Sequence, residues 1–201
     1  RDSAVGVWLN FLKPDETYTG WVFAGGNSPG QPALTVAGAQ IGKGGGSSAT
    51  LLLEEGATFA STGEIAIAID EGSSGSLGIS SSAAPSALSA GRITVGNEGD
   101  GDFFALGLST VDIAGSLFFG VLPGSKGIGI WTGLEGSEVP TAIDVGDTVF
   151  IGHFGAAEVV ANGPFSLGCT ELELGSGPNS DGVFKIFDPT SSVVAGSLVT
   201  V

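Results

Sequence analysis

Basic residues are scarce in this chain: six Lys plus Arg stand against 21 Asp plus Glu, for a net charge of −15. Such an acidic surface is repelled by phosphate backbones and by anionic lipid, so a nucleic-acid role is excluded as an expectation. Cysteine is nearly absent. The single Cys169 forms no internal disulfide and sits in Leu167–Leu174 without a basic neighbour to activate its thiol, so it reads as a small apolar residue. There is one histidine, His153, and no Met. One His and one Cys do not fill a four-ligand zinc site, and no nucleophile motif accompanies His153. No apolar run reaches the roughly 18 residues a membrane-spanning helix requires. A basic-then-apolar leader is also missing; with Arg1 at the start, the expectation is a secreted or cell-surface protein already processed.

Glycine and small apolar residues fill the composition instead. There are 36 Gly and 42% hydrophobic residues, too apolar for an acidic disordered chain and without the three-residue period of collagen. From about residue 34 the chain falls into rows of roughly 26 residues, the signature of a repeat architecture. One row holds Thr50–Phe59, Ser61–Ile69 and the turn Asp70–Gly75; the next holds Ser76–Ile79, a Ser/Ala stretch to Leu88, then Ser89–Gly96 and Asn97–Gly101. A third spans Asp102–Gly127. Each row reads as two short strands, with a Gly corner between them and a Gly/Ser/Asp/Asn turn after. Alternation such as Ile65, Ile67, Ile69 aims one set of side chains at one face. Strands this short are unstable alone, but rows stacked about 4.8 Å apart pair every strand and bury a continuous apolar column. The expected fold is all-β, a parallel β-helix (β-solenoid) of six to seven rungs over 34–201. A β-sandwich or jelly roll is the alternative.

Residues 1–33 differ from the repeat. They concentrate Trp8, Phe11, Tyr18, Trp21 and Phe23 beside rows read as aliphatic, which predicts a cap over the first rung. Because Val5, Val7, Leu9 and Phe11 alternate, a strand exchanged into a neighbouring subunit is the other reading. At the far end Leu198, Val199 and Val201 form a strand-like run with no polar terminator, an edge that reads either as an assembly surface or as the cut end of a longer protein.

Tyr18–Trp21, Ala33–Val36, Ser48–Phe59 and Gly91–Gly101 together resemble the β-strand repeats of bacterial autotransporter passengers and related secreted surface proteins. The resemblance extends over residues 18–127. It implies a right-handed parallel β-helix, export from the cell, and adhesive or structural work. The matching motifs are structural, so no catalytic residue is carried over from that family.

Chemistry has few footholds. Carboxylate pairs such as Glu54/Glu55 and Glu171/Glu173 could serve glycosidic acid–base work, but the few cations, Arg92 alone among internal arginines, are a poor clamp for acidic sugars. Asn97, Asp100 and Asp102, and separately Asn179 and Asp181, supply oxygen ligands on Gly-containing turns, which makes calcium the one cofactor with sequence support. The same residues are also what any tight turn recruits. Thr58, Thr94, Thr110 and Thr170 are read as out of register, against an ice-ordering face. The expectation is a non-enzymatic surface component: a filament or sheath subunit, or an adhesin module, self-associating through strand-rich termini. A polysaccharide-binding or polysaccharide-degrading β-helix is the alternative.

Overall fold

The computed structural model describes residues 21–24, 33–137 and 139–200. It is a β-solenoid of about 6 turns with no helix. In chain order the strands are β1 (Trp21–Ala24), β2 (Ala33–Val36), β3 (Ala39–Ile41), β4 (Ser48–Glu54), β5 (Thr58–Ile67), β6 (Ser74–Val95) and β7 (Asp100–Ile113). They continue as β8 (Leu117–Phe119), β9 (Lys126–Thr132), β10 (Thr141–Ile151), β11 (Ala156–Asn162), β12 (Phe165–Leu174), β13 (Asp181–Ile186) and β14 (Ser192–Thr200). Every pairing among them is parallel.

The registers resolve into three faces. On the first, Thr50, Ser76, Asp102 and Ile128 lie one above another, 26 residues apart, and the column runs from Trp21 to Val183. The second stacks Leu34, Phe59, Leu88, Val111, Ile143, Leu167 and Val193. The third stacks Ala39, Ile65, Ile93, Leu117, Val149, Leu172 and Leu198. Each turn therefore carries three strands where the sequence reading had two. The missed strand is the Ala87–Ala90 type: its inward places hold small residues such as Ser61 and Ala90, which leave no hydrophobic alternation to read.

Period-2 alternation sends the inward columns into one core that runs the length of the stack. That core is not all aliphatic. Phe59, Phe103, Phe119, Trp131 and Phe165 are buried in it, so aromatic content does not set residues 1–33 apart from the repeat. Within that segment Trp21–Ala24 forms β1, in parallel register with Thr50–Leu53. Val5, Val7, Leu9 and Phe11, and with them the choice between cap and exchanged strand, lie outside the described residues.

Size is traded between adjacent rungs. Trp131 stands between Ala105 and Ala161 in its column, and its ring lies 5.3 Å from Phe165, 5.8 Å from Phe184 and 6.0 Å from Phe119. Gly129 stands between Phe103 and Val159; a Cβ there would meet Val159 Cγ2 at 3.0 Å and the Phe119 ring at 3.2 Å. A close-packed interior with one rung spacing has to fill its volume in this way.

The corner after the third face is the sharpest in each turn. Gly42, Ala68, Gly96, Gly120, Gly152 and Gly175 all occupy it with φ between 53° and 72°. From Ala68 onward their N–H groups donate to the rung below, as from Gly96 to Ile67 at 3.0 Å and from Gly152 to Phe119 at 2.9 Å. At Gly96 a Cβ would overlap the Lys126 carbonyl. Ala68 is the exception that accepts a left-handed backbone with a side chain.

Candidate functional site

The end of the stack formed by β13 and β14 exposes core-column side chains of the kind that the middle rungs bury. Leu198 stands in the column of Ile65, Ile93, Leu117 and Val149, each fully buried, yet it is 65% exposed. Ile186 continues the column of Leu53, Ile79 and Trp131 and is 46% exposed. Phe187, in the loop beyond β13, and the outward Val194 are 66% and 70% exposed. Among the described residues β13 pairs on one edge only, with β11, and β14 on one edge only, with β12. The free edges present backbone donors and acceptors beside uncovered apolar side chains, the combination that templates further strand pairing.

Of the assembly residues read from the sequence, Leu198 and Val199 lie on this end, while Val201 is outside the described residues. Ile186, Phe187 and Val194 belong to the same surface and were not anticipated. Aligning Val183–Ile186 on Glu158–Ala161 as one column is the signal that would have found Ile186.

A second arrangement lies on the outward side of the third face. Phe118 and Phe150 stack at 4.6 Å with planes 8° apart, and the Arg92 guanidinium covers Phe118 at 5.0 Å. Arg92 is held in turn by Glu64 at 3.2 Å, and Thr94 Oγ1 also donates to Glu64. His153 meets Phe118, Phe150 and Phe154 edge-on, and its Nδ1 lies 2.8 Å from Ser176 Oγ. Burial of the imidazole lowers the His153 pKa against the opposing pull of Glu173. The facing sides of Phe118 and Phe150 are occupied by one another and the far side of Phe118 by Arg92.

The oxygen-bearing residues considered for calcium lie on two separate turns, as the sequence places them. Asp100 and Asp181 occupy the same column three rungs apart, about 14 Å at the parallel-strand spacing. Asn97 Nδ2 donates to the Ile69 carbonyl, and Asn179 takes φ 63° in its turn. Asp102 accepts from Ser76 Oγ at 3.2 Å, and burial raises its pKa. Among the described residues no group of three or more His, Cys, Asp or Glu is arranged to hold a metal ion.

Cys169 points into the second face's inner column above Val145, and burial raises its thiol pKa. The four threonines fall in no single register, as read from sequence: Thr58 and Thr110 share a second-face column with Ala87 between them and Ala142 after, while Thr94 lies on the third face. Glu55, at φ 43°, reaches over the bulge of β6: its carboxylate accepts from Ser82 Oγ and from the N–H groups of Ser82, Ala83 and Ala84, at 2.7 to 3.3 Å. These bonds, the Ser82 hydroxyl first, lower its pKa to about 2.

Outward on the first face, Leu52, Phe104, Ile130 and Val160 form a half-buried apolar stripe flanked by Asp102 and Glu158. No helix of the described residues is long and apolar enough to cross a membrane. Fold and site together define a parallel β-solenoid whose last strands, β13 and β14, pair on one edge only among the described residues. Comparison with known proteins finds no matching family model, no matching curated protein and no matching solved structure.

Proposed function

We propose that this protein is a non-enzymatic structural component of the cell surface: a subunit of an extracellular filament or sheath, of the autotransporter-passenger-like kind. It assembles through its ends. The observation that carries the reading is the terminal rung, where side chains from core columns stand uncovered beside free parallel-strand edges. Soluble β proteins ordinarily blunt an exposed strand edge with charge, proline or a covering segment, and none of these lies on β13 or β14 among the described residues except Lys185 and Asp181. The acidic sides suit a solvated outer surface.

Light scattering coupled to size exclusion, followed by negative-stain microscopy across a hundredfold concentration range, tests the reading. Linear particles of one constant width that lengthen with concentration are expected. A strictly monomeric species at the highest concentration reached would refute it.

A further inference from the structure

We propose that the Asp188–Pro189 peptide bond is a self-cleavage site, at which the Asp188 carboxylate attacks its own main-chain carbonyl and expels the Pro189 nitrogen. The inference is independent of how copies of the chain assemble.

Asp188–Pro189 is the single Asp–Pro step in the sequence. It lies in the corner that joins β13 to β14. Two properties of any such step favour scission. The aspartate carboxylate can close a five-membered ring on its own carbonyl carbon, acting as a nucleophile through an acyl intermediate. The proline nitrogen belongs to a tertiary amide and is more basic than an ordinary peptide nitrogen, so it takes up a proton and departs more readily.

The fold adds three more. Asp188 Oδ1 accepts from the Thr190 N–H at 2.7 Å and from the Thr190 hydroxyl. Thr190 lies beyond the scissile bond, so these contacts fold the carboxylate back alongside it and hold the two side-chain torsions that attack depends on. The Asp188 carbonyl oxygen accepts the Ser191 N–H at 3.1 Å, which places a donor on the atom where negative charge develops. Both flanks are tied to the neighbouring rung. The Phe187 N–H donates to the Ala161 carbonyl at 3.0 Å, and Ser191 Oγ to the Gly163 carbonyl at 2.8 Å.

The step consumes water alone. A carboxylate oxygen bonds to the Asp188 carbonyl carbon, the bond from that carbon to the Pro189 nitrogen breaks, and the nitrogen takes a proton from solvent at the exposed Pro189. The products are a cyclic anhydride at residue 188 and an amine at Pro189. Water then opens the anhydride to a side-chain carboxyl and an α-carboxyl. Once cut, β14 is held by its pairing with β12 rather than by the chain.

Acid supplies the proton but removes the nucleophile once the carboxyl protonates. The Thr190 hydroxyl and N–H lower the Asp188 pKa from the usual 3.8, so the folded chain keeps its nucleophile ionised where an unfolded one has lost it. The charged groups of the flanking elements, Asp181 and Lys185 on β13, Glu158 on β11, and Glu171 and Glu173 on β12, do not perturb it.

Intact-mass spectrometry of the chain incubated from neutral pH down to about pH 3 tests this, with the same chain in urea as reference. Circular dichroism identifies the pH values that retain the fold, and rates are compared there. The expected products end at Asp188 and begin at Pro189, together weigh the parent plus one water, and form roughly tenfold faster in the folded chain than in urea. The folded rate should go on rising below pH 3.8, where the urea rate levels off. Asp188→Asn should abolish the cut. Thr190→Val keeps the N–H but loses the hydroxyl; it should slow the folded reaction severalfold and leave the urea rate unchanged. A folded chain that stays intact, or is cut no faster than in urea, overturns the proposal, as does a cut that survives Asp188→Asn. A Thr190→Val chain cut at the parent's rate overturns the positioning by Thr190.

Discussion

Trp131 gives the sharpest test of how the core is built. Its side chain is fully buried, its column neighbours are Ala105 and Ala161, and its indole Nε1 is buried without an acceptor. A buried aromatic side chain removes about 150–250 Å² from water, which at about 25 cal/mol per Å² amounts to roughly 4–6 kcal/mol. Alanine keeps a minor share of that, and small residues above and below do not close the hole, so Trp131→Ala is expected to destabilise by about 3–5 kcal/mol. Trp131→Phe separates packing from polarity. The smaller ring gives up about 1–2 kcal/mol of burial, but the lost N–H was unpaired, and an orphaned buried donor is worth about 1–3 kcal/mol in the opposite direction. The two nearly cancel, and Trp131→Phe is expected within about 1 kcal/mol of the parent. Ala105→Leu added to Trp131→Ala should restore part of the loss by refilling the adjacent rung. Urea unfolding followed by far-UV circular dichroism measures all three without relying on tryptophan emission. If Trp131→Phe proves as damaging as Trp131→Ala, the indole donor has a partner and the size-trading account of this column is wrong.

Three further outcomes follow from local geometry. Gly96→Ala places a Cβ on the Lys126 carbonyl at φ 69° and should destabilise by more than about 2 kcal/mol, whereas Ala68→Gly at the equivalent corner should leave stability unchanged or raise it by up to about 1 kcal/mol; opposite signs in thermal melts are the check. The Glu55 carboxyl falls from an ordinary 4.5 to about 2 in the folded protein, so its contribution is fully present above pH 4.5 and is lost as pH falls toward 2. Glu55→Gln should flatten that part of the melting-temperature profile between pH 5 and 2 and speed amide exchange at Ser82–Ala84; an unchanged profile would show that the Glu55 contacts carry no stability. Asp102 has the reverse sign, because burial raises its folded pKa: the charged form weakens the fold, and stability is lost as pH rises through the ordinary carboxylate range. Asp102→Asn should therefore remove a loss of stability that the parent shows on raising pH from 3 to 6.

Much of this fold was written in the spacing of glycines and branched aliphatics. Ile65/Ile67, Ile93/Val95 and Val149/Ile151 alternate, end at a glycine or at Ala68, and recur, and the third face follows from that pattern alone. The second face was harder to read. Its inward places alternate large with small, as in Phe59/Ser61 and Leu88/Ala90, and its outward places are Thr, Ala, Ser, Asp and Gly, so hydrophobicity barely oscillates along the strand. The pair Leu198 and Val199 was legible as an edge because a strand-like run lacked a polar stop. Ile186 was not, since only its place above Trp131 and Ala161, in a column of buried residues, makes its exposure meaningful. Phe118 comes from a different row than Phe150 and His153 and meets them only through the register.

Charge settles how such a filament would behave sideways. A net charge of −15 over seven stacked strands, about 34 Å at the strand spacing, is one negative charge per roughly 2.3 Å of axis, close to the one per ~1.7 Å of duplex DNA. A rod charged that densely holds a counterion atmosphere and repels its neighbours beyond the apolar stripe of Leu52, Phe104, Ile130 and Val160, whose flanks carry Asp102 and Glu158. At 10 mM monovalent salt, with a screening length near 30 Å, single filaments are expected; at 1 M, where it is about 3 Å, the stripes come into contact and filaments bundle. Growth along the axis should respond less steeply, since the end contact joins apolar residues and backbone edges. Turbidity and microscopy over that salt range read both effects. Should ionic strength leave bundling unchanged while strongly altering length, the division into apolar ends and electrostatically guarded sides would be wrong.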